Sequence, residues 1–334
     1  MTIDEIARLA NVSRATVSRV LNNNPRVQSE LRARVLSVIE KHNYTPNAAA
    51  RTLATRRTNT IALLVPGLVE ETCAEPETFY PLLIQSVTVA AGQQRRYLML
   101  CYVAAGEELE FYRSVVRSRR VDGLIIGGSH IGEPLLELVL RSGFPAVLIG
   151  RHLRRQDLHS VDAANVEGAC QAVEHLLARG RRRIATITYP ASSSTGVDRL
   201  EGYRRALAKY GVPFDPRLVI ESNGFDSGEA IAELAGLIGA QRPDALFAAS
   251  DTLALDALQC VRALGLRVPE DIAIVGFDDQ PNAARSDPPL TTVRQPIAGL
   301  GREAVALLLR LIEQPDVAPQ RVVLPTELVV RASS

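Results

Sequence analysis

VSRATVSRVLN, residues 12–22, reads as a short helix with two unlike faces. Val17, Val20 and Leu21 fall at i, i+3 and i+4, so they share the face that packs inward. Arg14, Ala15, Ser18, Arg19 and Asn22 fall on the other face. Ser13 stands where an N-cap belongs, and Val12 and Val17 have the N′ to N4 spacing of a hydrophobic staple. A helix that starts this sharply, with guanidinium and small polar groups turned outward, predicts the recognition helix of a nucleic-acid-binding module.

The flanking residues complete a three-helix unit. Ile3, Ile6, Ala7 and Ala10 give a first amphipathic helix, with Asp4 and Glu5 near its positive end. Asn11 follows, a residue that tolerates the left-handed conformation of a tight turn. After Asn23–Gln28, Ser29 is expected to cap a third helix with the stripe Leu31, Val35, Val38 and Ile39. Two short helices joined by a tight turn and braced by a third make a helix-turn-helix. Residues 1–60 hold ten Arg or Lys against four Asp or Glu, a net of +6. The remaining 28 basic and 33 acidic residues leave −5 for the rest. The basic end suits a polyanion, while a protein-binding three-helix bundle is the other reading. Tyr44–Arg57, YTPNAAARTLATRR, follows: Pro46 cannot continue helix three, and Asn47 can cap a further turn or two through Leu53. So short a helix is marginal alone, which leaves a basic linker or a helix completed by a partner.

From Thr60 onward apolar runs alternate with helical segments. IALLV (61–65), YLMLCYV (97–103), GLIIG (123–127) and AVLIG (146–150) form one set. RIATIT (183–188), RLVIES (217–222), ALFAAS (245–250) and IAIVGF (272–277) form a second. Such runs are typical of buried parallel strands, so the body is expected to be α/β and two-lobed, with ligands at the carboxyl ends of the strands. Cys73, Cys101, Cys170 and Cys260 are scattered and read as reduced core residues of a cytoplasmic protein with no secretory leader. No apolar run reaches the ~18 residues of a membrane span, so no membrane partner is expected. The five histidines show no ligand spacing, so no metal and no cofactor is assigned.

Taken in order, these stretches resemble the lactose and galactose repressor (LacI/GalR) family along essentially the whole chain. TIDEIARLANVSRATVSRVLN resembles its helix-turn-helix and YTPNAAARTLA its hinge helix. VDGLIIGG (121–128), RLEGYRRAL (199–207), VPEDIAIVGFDD (268–279) and DPPLTTVRQPIAGLGREA (287–304) extend the match. The resemblance implies a head at 1–45, a hinge at 46–59 and a periplasmic-binding-protein-like body at 60–334. Its lobes would exchange strands near 160, 293 and 320, with lobe one about 60–160 and 293–320 and lobe two about 161–292 and 321–334. It also implies a repressor of carbohydrate genes that binds a pseudo-palindromic double-stranded operator as a homodimer under a sugar-like effector. A nucleoside, purine or sugar-phosphate co-repressor is the alternative. No heptad tail follows ELVVR (327–331), so a dimer is expected rather than a tetramer.

By position, Arg14, Ala15 and Arg19 match the family's base-reading residues. Arg can donate two bonds to guanine, and Ala offers apolar contact. Ser13, Thr16, Ser18 and Asn22 suit phosphate anchoring. Leu53 matches the hinge leucine that wedges into the minor groove, with Asn47, Ala50 and Ala54 beside it; small residues there let paired helices approach. In the cleft, Arg199 and Asp278 match effector-contacting residues, a fork and a carboxylate that suit a polyol. Phe225, Phe79 and Tyr80 match aromatic positions, and Ser250 and Gln295 are further candidates. Gly150 stands where some relatives carry an acidic ligand residue, with Arg151 beside it as a replacement. Structural readings stand alongside: Arg199 pairing with Asp198 or Glu201, Asp278 capping the turn to Pro281, Phe225 in the core, and Asp251 capping the helix after it. A secreted solute-binding protein would lack the basic head. Catalysis is not expected, because the chain lacks a GxSxG elbow, a GxxxxGK loop, an HExxH pair and a GxGxxG after a strand.

Overall fold

The structure, a computed structural model, describes residues 1–21, 24–44, 57–66, 79–103, 106–128, 133–222 and 228–334. They form two compact units, Met1–Thr58 and Asn59–Ser334.

In the first unit α1 (Ile3–Leu9), α2 (Arg14–Leu21) and α3 (Ser29–Lys41) enclose Ile6, Ala7, Ala10, Val17, Val20 and Val35. A capping box starts α1: Thr2 Oγ1 accepts from Glu5 N at 3.3 Å, and Glu5 Oε2 accepts from Thr2 N at 2.8 Å. Asn11 takes φ +50° at the turn. Ser13 caps α2 by accepting from Thr16 N at 3.1 Å, and the staple residues Val12 and Val17 both join the core. Ser29 is not a cap. It is the first residue of α3, preceded by Gln28, which makes no side-chain capping bond.

The second unit holds two six-stranded sheets among the described residues. Sheet one contains β1 (Thr60–Pro66), β2 (Tyr97–Val103), β3 (Gly123–Gly127), β4 (Ala146–Ile149), β5 (Ser160–Ala163) and β11 (Arg321–Leu324), in the parallel order β11-β5-β4-β3-β1-β2. Sheet two contains β6 (Ile184–Thr188), β7 (Val219–Glu221), β8 (Ala245–Ala248), β9 (Ala273–Asp278), β10 (Thr291–Arg294) and β12 (Glu327–Val329), in the order β12-β10-β9-β8-β6-β7 with only β12 antiparallel. Alternation along β1 explains the layering. Ile61, Leu63 and Val65 face α4 (Phe79–Gln93) and α12 (Ile297–Glu313), while Ala62 and Leu64 face α5 (Glu108–Phe111) and α6 (Glu133–Arg141). A π-helical turn, Tyr112–Arg117, extends α5. On sheet two, α7 (Asn165–Ala178) and α8 (Ser194–Lys209) cover one face, and α9 (Gly228–Gln241) and α10 (Asp251–Ala263) the other. The short α11 (Pro281–Arg285) follows β9.

The chain crosses between sheets after β5, after β10 and between β11 and β12. Residues 321–324 therefore lie in sheet one, not in the second lobe to which 321–334 was assigned; parallel pairing of Arg321–Leu324 with Ser160–Ala163 holds them there. Cys101, Cys170 and Cys260 are free thiols, and burial pushes Cys101 up to about 11.

Candidate functional site: a recognition helix and an interlobe cleft

On α2 the buried pair Val17 and Val20 turns Arg14, Ala15 and Arg19 into solvent, with Thr16 and Ser18 half-buried beside them. Arg14 reaches Asp4 at 3.8 Å, with the two side chains 70% and 63% exposed. A pair so exposed is worth ~0–1 kcal/mol and yields readily to a phosphate or a base edge. Asn22, Asn47, Ala50, Leu53 and Ala54 lie outside the described residues, as does Phe225.

In the second unit the carboxyl end of β9 gathers the remaining candidates. The Arg199 guanidinium, projecting from α8, is buried and stacks on the Phe277 ring with its carbon 3.7 Å from the centroid. Its Nε donates to Asn165 Oδ1 at 3.0 Å, and its Nη1 donates to the Ala249 carbonyl and lies 3.5 Å from Asp278 Oδ1. Gln295 Nε2 donates to that same Asp278 oxygen at 2.6 Å, and Gln280 Nε2 to the other at 3.4 Å. Burial raises the Asp278 pKa, while Arg199 and Gln295 act in the opposite direction. The structure thus brings Arg199, Asp278 and Gln295 together and adds Asn165 and Gln280. Neither Asp198 nor Glu201 takes Arg199: Asp198 binds Arg151 and Glu201 binds Arg205.

Ser250 has a structural task. It caps α10 by accepting from Leu253 N at 3.2 Å, the task expected of Asp251. Asp251 is instead fully buried, accepting from Thr292 Oγ1 at 2.5 Å and Gln280 N at 2.8 Å. Its carboxyl is held well above the usual range by burial and the nearby Asp278. Gly276 is required opposite it, because a Cβ there would collide with Asp251 Oδ1.

Tyr189, directly after β6, was missed by sequence reasoning. It hydrogen-bonds Ser250, and burial followed by the Asp278 carboxylate pushes its phenol up to about 12. From the other lobe Tyr80 is buried beside it, close enough for the two phenols to influence each other. Phe79 meets Tyr80 edge to face at 5.3 Å. Gly128 makes room for Tyr80, whose hydroxyl would lie 2.9 Å from a Cβ there. A scan of the residue following each apolar run would have exposed Tyr189.

The lobes are tied beside this cluster. Gly150 takes φ +91°, and Arg151 after it donates from Nε and Nη2 to Asp198 at 2.8 and 2.5 Å. Within sheet one, Arg321 on β11 lies 3.5 Å from Asp162 on the neighbouring β5. Among the described residues no helix is long and apolar enough to cross a membrane, and no cluster of His, Cys, Asp or Glu could hold a metal ion.

Comparison with known proteins agrees with this architecture. Residues 2–47 match the family model "Bacterial regulatory proteins, lacI family", and residues 173–334 match "Periplasmic binding protein-like domain". The chain is 41% identical to the HTH-type transcriptional regulator CelR of Thermobifida fusca over 99% of its own length and 98% of the relative's. It is 33% identical to the ribose operon repressor of Escherichia coli over 100% and 99%. Among solved structures, the CelR–cellobiose complex superposes with TM-score 0.77 at 38% identity, covering 100% of both chains. The lac repressor dimer bound to operator and the anti-inducer ONPF gives 0.83 at 26%, covering 100% and 98%. The chain belongs to the lacI family of bacterial regulatory proteins, and it is a DNA-binding transcriptional regulator rather than an enzyme.

Proposed function

We propose that this regulator is a cytoplasmic repressor of carbohydrate uptake or catabolism genes, binding a pseudo-palindromic operator as a homodimer, and that a neutral sugar in the interlobe cleft controls it. The observation that carries the effector class is the buried pair Arg199 and Asp278 with the half-buried Gln295. Its cation is already matched by a carboxylate, so the set offers directed donors and acceptors to hydroxyls but no spare charge for an anion. The relative whose structure is a complex with cellobiose makes a short glucoside the first candidate. Dimerisation is supported by the edge strand β2, where Tyr97, Leu100 and Tyr102 are exposed, and by exposed Val89 on α4. An apolar sheet edge of this kind favours a second copy. Effector and operator are then linked: whichever lobe arrangement each prefers, each changes the other's affinity by the same factor.

The test is a thermal-shift screen of cellobiose, ribose, glucose 6-phosphate and hypoxanthine. It is run beside binding to duplexes selected by the full chain from a random pool. A neutral sugar that raises Tm and alters duplex affinity supports the reading. A response restricted to glucose 6-phosphate or hypoxanthine refutes the neutral-sugar assignment and leaves the regulator class standing.

A further inference from the structure

Four arginines crowd the amino-terminal edge of sheet one, and neither the recognition helix nor the cleft uses them. Strand β1 lies between β2 and β3, so the residues that precede each of these strands flank the start of β1. Asn59 marks that start. Its carbonyl accepts from Tyr97 N at 2.9 Å, and its N–H donates to Asp122 Oδ2 at 2.9 Å. Tyr97 and Asp122 stand about one strand spacing, ~5 Å, to either side of this start; Arg95 and Arg96 directly precede the one, and Arg117, Arg119 and Arg120 lead into the other.

Arg96 is engaged, 3.6 Å from Asp122 and donating to Asn59 Oδ1 at 2.7 Å. Arg95, Arg117, Arg119 and Arg120 are exposed and form no ion pair among the described residues. Arg95 and Arg119 occupy left-handed turns at φ +52° and +53°. Gly or Asn fits such turns at lower cost, so the guanidinium is kept there against backbone preference. The patch also runs against its surroundings, since the chain beyond residue 60 is net acidic by 28 against 33.

Four unpaired cations side by side call for a polyanion with spaced charges. This edge is also where the segment from the DNA-binding unit enters. The thirteen residue steps from Tyr44 to Arg57 span at most ~45 Å, so the chain ties the DNA-binding unit to this edge by no more than that length.

We propose that this arginine edge is an auxiliary nucleic-acid contact that takes backbone phosphates of the bound duplex without reading bases. The inference rests on the operator-binding reading above. Because phosphates carry no sequence information, the edge adds affinity and salt dependence but leaves preference unchanged, each engaged phosphate contributing about 0.9 to the log–log salt slope.

The experiment uses the full chain and a duplex selected by it from a random pool, extended by ten base pairs on each side. Affinity is measured by anisotropy between 50 and 200 mM salt. Compared are wild type, the triple variant Arg117→Gln, Arg119→Gln, Arg120→Gln, and a control triple at exposed arginines elsewhere, Arg204→Gln, Arg242→Gln, Arg302→Gln. The edge variant is expected to lose roughly 10- to 100-fold at 50 mM salt, with a salt slope shallower by about 2 to 3. Its ratio of selected to scrambled duplex and its Tm should stay unchanged, and the control should bind like wild type. An edge variant with the wild-type salt slope overturns the proposal while operator binding stands, whether its affinity is intact or reduced. Equal losses in the control triple overturn it too, since they would reflect net charge alone. Failure of the wild type to select any duplex overturns both this proposal and the operator reading.

Discussion

The Asp162 carboxylate at the first crossing is 4% exposed and pushed up to about 6, chiefly by burial and then by Asp198, with Arg321 pulling the other way. Below about pH 4 both the folded and the unfolded chain hold this proton. Between there and about pH 6 only the folded chain does, so stability falls as pH rises through that window, by on the order of 2–3 kcal/mol at most. Asp162→Asn can keep the acceptor that serves Ala163 N and Asn165 Nδ2. It is expected to flatten that slope and to unfold at higher urea than wild type at pH 7.5. Urea titrations from pH 4 to 7.5 check this, and an unchanged slope would assign the pH dependence to other groups. On α2 the single residues separate by chemistry. Arg14→Ala should alter preference at one base pair by ~1–3 kcal/mol, whereas Ser18→Ala should weaken all duplexes alike. Equal losses across base-substituted operators would sink the base-reading role of Arg14. Arg14 and Ser18 were legible because a buried stripe at i, i+3 fixes the opposite face. Tyr189 and Asn165 were not read, because a single residue after a strand or at a helix start carries no periodicity; only its place directly after an apolar run or at a helix start marks it.

Among the elements, helix α8 owes its close seat on α7 to one glycine. A Cβ on Gly202 would collide with the Val166 carbonyl and stand 2.7 Å from Ala169 Cβ. Both neighbours are helix backbone or its first side-chain atom, so neither can swing aside. Gly202→Ala gains about 0.5–1 kcal/mol of helix propensity, yet overpacking of this kind costs ~1–3 kcal/mol. A net loss of stability is expected in thermal melts, with displacement of Arg199 and weaker effector binding. The apolar runs revealed β1 to β4 and β6 to β9. The crossing strands β5, β10 and β11 are four residues each and partly polar, and they came only from family resemblance. The cap at Ser13 was legible, whereas Ser29, which also precedes a clear stripe, is the first residue of α3 and caps nothing. The reading slipped by one residue at Ser250 and Asp251, where two capping residues stand side by side and only burial tells them apart.

At the scale of the molecule, Arg151 and Asp198 join the lobes through a bond 21% and 11% exposed, beside the cluster around Arg199. A bidentate pair this sheltered holds more firmly than a surface pair. Arg151→Ala and Asp198→Ala are each expected to loosen the lobes and shift effector affinity by about tenfold. The exchange Arg151→Asp with Asp198→Arg should recover most of the loss. Small-angle scattering of the ligand-free chain checks it, and an exchange variant no better than the singles would deny the pair its tying role. The three crossings also impose an order on synthesis. Sheet one begins at Thr60, yet it is covered by Leu300, Ala304, Leu307, Leu308 and Leu311 of α12 and completed by Arg321–Leu324. A nascent chain therefore carries a folded DNA-binding head long before its first lobe can close over its own apolar face. Chains arrested near residue 290 are expected to aggregate through that open face. The ribosome delivers the reader of DNA first and the means of restraining it last.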